Sequence, residues 1–210
     1  MKDMSQNRST QGRIVITGCD TVSETPFKQK LPEGVAILIP DDCKYRIPDY
    51  IESLSRKKFC RNWSAEMLEK FLETPVNLSL AMIESGDADL LITASSDNVL
   101  EISKSALRIV GIKNSYKFIF SSSLLYLASD SRYVTYADCL LVPEPAVDQL
   151  VTMAARTAIF NQSILGVKSC TAFISFSTSG SFPHYRTTKM AEAVKIFKNK
   201  FPDFSADGEL

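Results

Sequence analysis

Short β-branched apolar runs exchange along this chain with longer stretches of helical spacing, and only a few architectures accept both. Arg13 to Thr17 and Val35 to Ile39 are such runs, bounded by Gly18, by Pro32 to Gly34 and by Pro40, and they predict buried strands. From Pro48 to Gly86 the spacing turns helical: Ile51 and Leu54, then Met67, Leu68, Phe71 and Leu72, then Val76, Leu80 and Ile83. Ser64 is placed to cap the second of these helices and Gly86 to stop the third. Asp89 to Thr93 predicts another buried strand, and the polar loop Ala94 to Asn98 opens a helix running to about Val110. Strand character returns at Lys117 to Phe120 and, after a short apolar run to Ala128, at Tyr133 to Val142. A helix over Ala146 to Leu165 leads to a strand at Thr171 to Ser175 and a loop over Phe176 to Pro183. Thr188 to Lys200 then predicts an amphipathic helix with Ala191, Val194 and Phe197 on one side. Strands apolar throughout, linked through helices, imply an α/β fold: a largely parallel sheet covered on both faces, in three layers α/β/α. After Pro202 the alternation calls for one more strand that the sequence does not signal, so the chain reads as cut short.

Composition narrows the function. Lysine plus arginine (24) balance aspartate plus glutamate (24), so no global field gathers nucleic acid or an anionic membrane, and a phosphate-bearing ligand must be gripped locally. A chain of 210 residues, 45% apolar, fills one large domain or two small ones. No apolar run approaches the roughly 20 residues of a membrane helix, and the polar start, Met1 to Gly12, lacks a secretory signal. A cytoplasmic protein is expected. Cys19, Cys43, Cys60, Cys139 and Cys170 are odd in number and scattered without a CxxC pair, which suggests neither a disulfide framework nor a zinc site. His184 is the single histidine, so two-histidine metal sites are excluded.

In open α/β sheets, ligands gather at the carboxyl ends of strands, where loops feed helix N-termini rich in free N–H groups. Two loops hold that position. Thr93 to Asn98 precedes a helix carrying Lys104, and Ser175 to Ser181 offers hydroxyls and a glycine, as a phosphate cradle requires. By composition alone both also read as ordinary turns. The glycine patterns of P-loops and dinucleotide folds, and the GxSxG nucleophile elbow, are absent.

The order of motifs carries a resemblance. Gly86 to Asp89, Leu90 to Thr93, Lys104 to Leu107, Tyr133 to Cys139, Ile174 to Thr178 with Gly180 and Ser181, Ala193 to Asp203 and Asp207 to Leu210 follow one another as in the phosphate acetyl/butyryl transferases, with the phosphotransacetylases the nearer likeness. It runs from about Ile47 to Leu210. The resemblance implies acetyl transfer between coenzyme A and inorganic phosphate, making acetyl phosphate, in two α/β domains with the site in the cleft between them. The first domain would span residues 1–116 and the second, incomplete, 117–210. It further implies a homodimer, coenzyme A as a substrate rather than a resident cofactor, and no metal.

Residue by residue, Arg56 takes the place of an arginine that helps bind coenzyme A, allowing two extra residues before Ser64, with a solvated helix end as the other reading. Thr93 ends the strand before the first loop, where Ala94 replaces a glycine and Asp97 to Val99 replace a threonine-rich segment. Lys104 stands for an arginine followed by proline and lacks its bidentate fork. Ser175, Ser177, Thr178, Gly180 and Ser181 keep the second loop, while Ser179 replaces a frequent lysine. Family members continue past this point with a Ser-Arg-Gly motif and an aspartate. No Ser-Arg-Gly occurs here, so no catalytic residue is assigned. Two alternatives stay open: a phosphate butyryltransferase, or a catalytically impaired relative acting as a binding or assembly module. Outside the resemblance, Cys139 reads as buried core, His184 as an exposed loop residue, Trp63 with Phe59 as packing beneath the helix after Ser64, and Asp87 with Asp89 as shaping the turn into a strand.

Overall fold

The computed structural model describes residues 12–17, 33–93, 99–112, 117–177 and 181–208. They fall into two compact units, within 1–115 and 116–210. In the first unit the elements are β1 (Gly12–Thr17), β2 (Val35–Leu38), α1 (Ile47–Ser55), α2 (Ala65–Leu72), α3 (Pro75–Glu84), β3 (Leu90–Thr93) and α4 (Val99–Ile109). The sheet order is β2-β1-β3, all parallel, with Ile14 opposite Ile37 on one side and Leu90 on the other. Side chains alternate across the strands. Val15 is buried and packs with Leu38, Leu91 and the helix residues Tyr50, Leu54, Leu68, Leu72, Leu78 and Met82. On the opposite face Leu90 and Ile92 remain 49% and 47% exposed. Among the described residues the helices therefore cover one face of this sheet, where the apolar strands had implied two.

Helix α3 lies innermost. Asn77 to Met82 are buried without interruption, which the periodicity of Val76, Leu80 and Ile83 did not convey. Its buried polar groups are satisfied, Asn77 Nδ2 donating to Phe71 O at 2.9 Å and Ser79 Oγ to Pro75 O at 2.7 Å. Ser64 caps α2 as expected, its Oγ accepting from Met67 N–H at 3.2 Å, although Met67 itself points outward. After α3, Gly86 takes φ +75°, a left-handed conformation that favours glycine. Trp63 packs edge-on to Phe59 and Phe71, with ring centroids 5.6 and 5.3 Å away. Asp87 receives the Tyr50 hydroxyl at 2.8 Å and the Arg46 guanidinium, while Asp89 pairs with Arg13 at 3.2 Å. Both aspartates fix the entry to β3. Burial, then the bond to Asp87, pushes the Tyr50 phenol well up.

The second unit contains β4 (Ser122–Leu127), β5 (Arg132–Ala137), α5 (Val147–Leu165), β6 (Cys170–Phe173), α6 (Tyr185–Lys200) and β7 (Ser205–Gly208). Several expectations need correction here. Residues 117–120 are not a strand, and the strand lies just beyond, at β4. β4 pairs with β5 as an antiparallel hairpin, because the turn between them is short: Asp130 N–H reaches Leu127 O at 3.3 Å and Ser131 takes φ +50°. β5 stops at Ala137 rather than Val142, where the Asp138 carboxylate takes up the following N–H groups of Leu140 (3.0 Å) and Leu141 (3.1 Å). Cys139, beside it, is exposed instead of buried. The strand missing after α6 is β7, parallel to β6 with Phe173 opposite Gly208. The small core joins Val151 and Ala155 of α5, Phe173 of β6, and Ala193, Val194 and Phe197 of α6; Ala193, not Ala191, faces inward. No helix among the described residues is long and apolar enough to cross a membrane.

Candidate functional site

In the first unit the strand order changes direction at β1, so the carboxyl ends of β1 and β3 mark a topological switch point. Thr17 and Thr93 stand opposite each other there. Ala94, Asp97 and the rest of loop 94–98 lie outside the described residues. Arg56 caps the end of α1, is largely exposed, and pairs with Glu52 one helical turn back. Lys104 on α4 pairs with Glu101 at 2.6 Å. Each of these cations is tied to a glutamate of its own helix.

The second unit brings three of the expected residues together. Ser177 N–H donates to Ser175 Oγ at 3.0 Å, and Ser175 Oγ donates to Ser177 O at 3.0 Å. Ser177 Oγ lies 3.2 Å from Ser181 Oγ and accepts from Phe182 N–H at 3.1 Å. With 4% of its surface exposed, Ser177 holds the loop in shape rather than presenting a hydroxyl to a ligand. Thr178 and Gly180 lie outside the described residues. His184 caps the helix that follows, its Nδ1 accepting from Arg186 N–H at 3.2 Å, a structural task for the single histidine.

Ser175 lines a cleft of about 260 Å³ with Glu144, Phe176, Arg186, Lys189 and Met190. It opens where β6 ends and α6 begins. A space of this size suits one end of a ligand, since cavities enclosing whole drug-sized molecules run to roughly 300–1,000 Å³. Glu144 bridges the two cations, meeting Arg186 at 2.9 Å and Lys189 through its other oxygen. The Lys189 bond holds the Glu144 carboxyl below the usual range. Tyr185 adds its ring beneath both, 5.5 Å from Arg186 and 5.9 Å from Lys189. Glu144, Arg186 and Lys189 went unnoticed in the sequence. Their signal was local: two cations in the opening turns of a helix with no acidic residue there, against the preference of the helix dipole.

These features accord with a match across the chain: the model of the phosphate acetyl/butaryl transferase family fits residues 6–210. The chain belongs to that family. It is 27% identical over 180 residues to the phosphate acetyltransferase of Pseudomonas aeruginosa, covering 86% of this chain and 25% of that one. With the phosphate acetyltransferase of Acetivibrio thermocellus it shares 26% over 170 residues, 79% of this chain and 51% of the other. The chain thus spans about a quarter to a half of these curated relatives. A phosphotransacetylase of Streptococcus pyogenes superposes with a TM-score of 0.75 at 18% identity, covering 95% of this chain and 68% of that one, which shows a shared α/β fold.

Proposed function

We propose that this chain takes part in acetyl transfer between coenzyme A and inorganic phosphate, yielding acetyl phosphate. The observation that carries the reading is the family match over residues 6–210. In the reaction a phosphate oxygen attacks the thioester carbonyl carbon; the new C–O bond forms, the C–S bond breaks, and the departing thiolate takes up a proton. Charge grows on the carbonyl oxygen and the sulfur, where hydrogen-bond donors and cations lower the barrier. Ser175, which lines the α6 cleft with its two cations, and Ser181, bonded to Ser177 in the same loop, suit phosphate; Arg56 is assigned to coenzyme A, and Thr93 and Lys104 to the anion loop of the first unit. Thr178 and Gly180 complete the second loop in this proposal. Coenzyme A enters as substrate, no resident cofactor is invoked, and a cytoplasmic homodimer is the setting proposed.

A thiol reagent follows the reaction directly. Acetyl coenzyme A and phosphate should give phosphate-dependent thiol release, matched by acetyl phosphate; no such release from protein that binds coenzyme A overturns the proposal. Replacing acetyl with butyryl coenzyme A in the same assay decides the acyl preference. The pairing of Arg56 with Glu52 and of Lys104 with Glu101 favours one other reading, an assembly module in which ligand binding is weakened along with catalysis. Calorimetry showing no binding heat with coenzyme A, in protein without transfer activity, would establish it.

A further inference from the structure

We propose that Glu144 is a resident stand-in for a ligand phosphate, and that Arg186 and Lys189 form a phosphate clamp which Glu144 releases when the ligand arrives. The site rests on the acetyl-transfer reading only for the identity of the ligand.

The arrangement is poorly explained as a stabilising device. Arg186 and Lys189 lie in the opening turns of α6, where the helix dipole is positive and cations are disfavoured. One carboxylate serves both, leaving the cleft an excess positive charge. The exposures are unequal in a telling way: the Lys189 side chain is 17% exposed and the Glu144 side chain 47%. Lysine is held within the cleft, while the half-exposed glutamate can turn into water once an incoming anion takes over the pairing of Lys189. Pro143 and Pro145 restrict the backbone on either side, so the side chain of Glu144 is the part that moves. A phosphate dianion carries more charge than the carboxylate it replaces and accepts a bidentate guanidinium. Ser175 lies in the same cleft, and Phe176, 61% exposed, offers an apolar wall to whatever the phosphate is attached to.

The full chain is titrated calorimetrically with inorganic phosphate, acetyl phosphate, coenzyme A and coenzyme A lacking its 3′-phosphate, as wild type and as Glu144→Gln, Arg186→Gln and Lys189→Gln. Removing either cation should weaken binding of the clamped phosphate by about tenfold, and Glu144→Gln should tighten it severalfold. An effect on inorganic phosphate and acetyl phosphate identifies the transferred phosphate as occupant. An effect on coenzyme A that vanishes without its 3′-phosphate identifies that group instead. If Glu144→Gln lowers the melting temperature and leaves every affinity unchanged or weaker, the triad is only a staple between its loop and α6, and the clamp is overturned. Arg186→Gln, at a half-exposed site, keeps the test decisive should Glu144→Gln fold poorly. A chain that transfers acetyl with affinities indifferent to both cations loses the clamp and keeps the activity. One that binds phosphate more tightly as Glu144→Gln but never transfers acetyl keeps the clamp and loses the activity.

Discussion

Asp138 shows how much one side chain can hold. Its carboxylate accepts from Ser121 N–H at 3.0 Å, from the Ser121 hydroxyl, and from the N–H groups of Leu140 and Leu141, tying the start of the hairpin to the segment that leaves it. Burial pushes its pKa up, but the bonds from Ser121, Leu140 and Val142 outweigh that and hold it below the ordinary 3.8. A carboxylate lowered in the folded state lends stability that is complete above 3.8 and drains away as pH falls through the depressed value. Asp138→Ala should cost about 2 kcal/mol at neutral pH, a figure kept modest because the group is only half-buried. Denaturant melts of wild type and Asp138→Asn should differ at neutrality and draw together only as pH falls from 3.8 through the depressed value. At this scale the sequence was legible where the rule is local, as with the Ser64 cap. It was silent where partners come from afar, as with Asp138 reaching Ser121, or the choice of Glu144 as the carboxylate that meets the two cations at the start of α6.

Among the elements, β7 was hardest to foresee. Ser205 to Gly208 carries no β-branched residue, so nothing in its composition speaks for a strand; pairing with β6 makes it one. Gly208 explains how. It takes φ +140°, and a Cβ placed there would lie 2.4 Å from Phe173 O and 2.7 Å from Phe173 Cβ. Gly208→Ala should therefore loosen β7 from β6 and lower stability by roughly 2–3 kcal/mol, well beyond the usual cost of filling an open glycine site. Gly86→Ala, with open space around its Cβ position and only its positive φ against it, is the comparison; equal losses in thermal melts would refute the close-approach argument. Helices α1 to α6 were legible as helical stretches and strands β1 to β3 as short apolar runs, although α3 is buried continuously over Asn77 to Met82 and β3 leaves Leu90 and Ile92 exposed. The β4–β5 hairpin was not legible, because its exposed Tyr126, Tyr133 and Tyr136 blur the apolar pattern.

For the whole chain, charge balance governs behaviour in solution. With 24 cationic and 24 anionic side chains and an isoelectric point near 6.6, repulsion between copies vanishes close to neutrality. Turbidity of concentrated protein should peak near pH 6.6 and clear on either side; a flat profile would show that surface patches, not net charge, control association. The α/β class was readable at this scale because alternation is global. The α6 cleft was readable only in part: Ser175 belongs to a loop that the sequence marks out, whereas Glu144, Arg186 and Lys189 join it only in the folded chain. One feature of the first unit also reaches beyond it: the chain has a single tryptophan, Trp63, wedged between Phe59 and Phe71. Indole emission during denaturation consequently registers the loosening of that aromatic trio in the first unit, whereas far-ultraviolet ellipticity sums α5 and α6 with the rest. Overlaying the two curves turns an ordinary melt into a readout of whether the halves let go together or in turn.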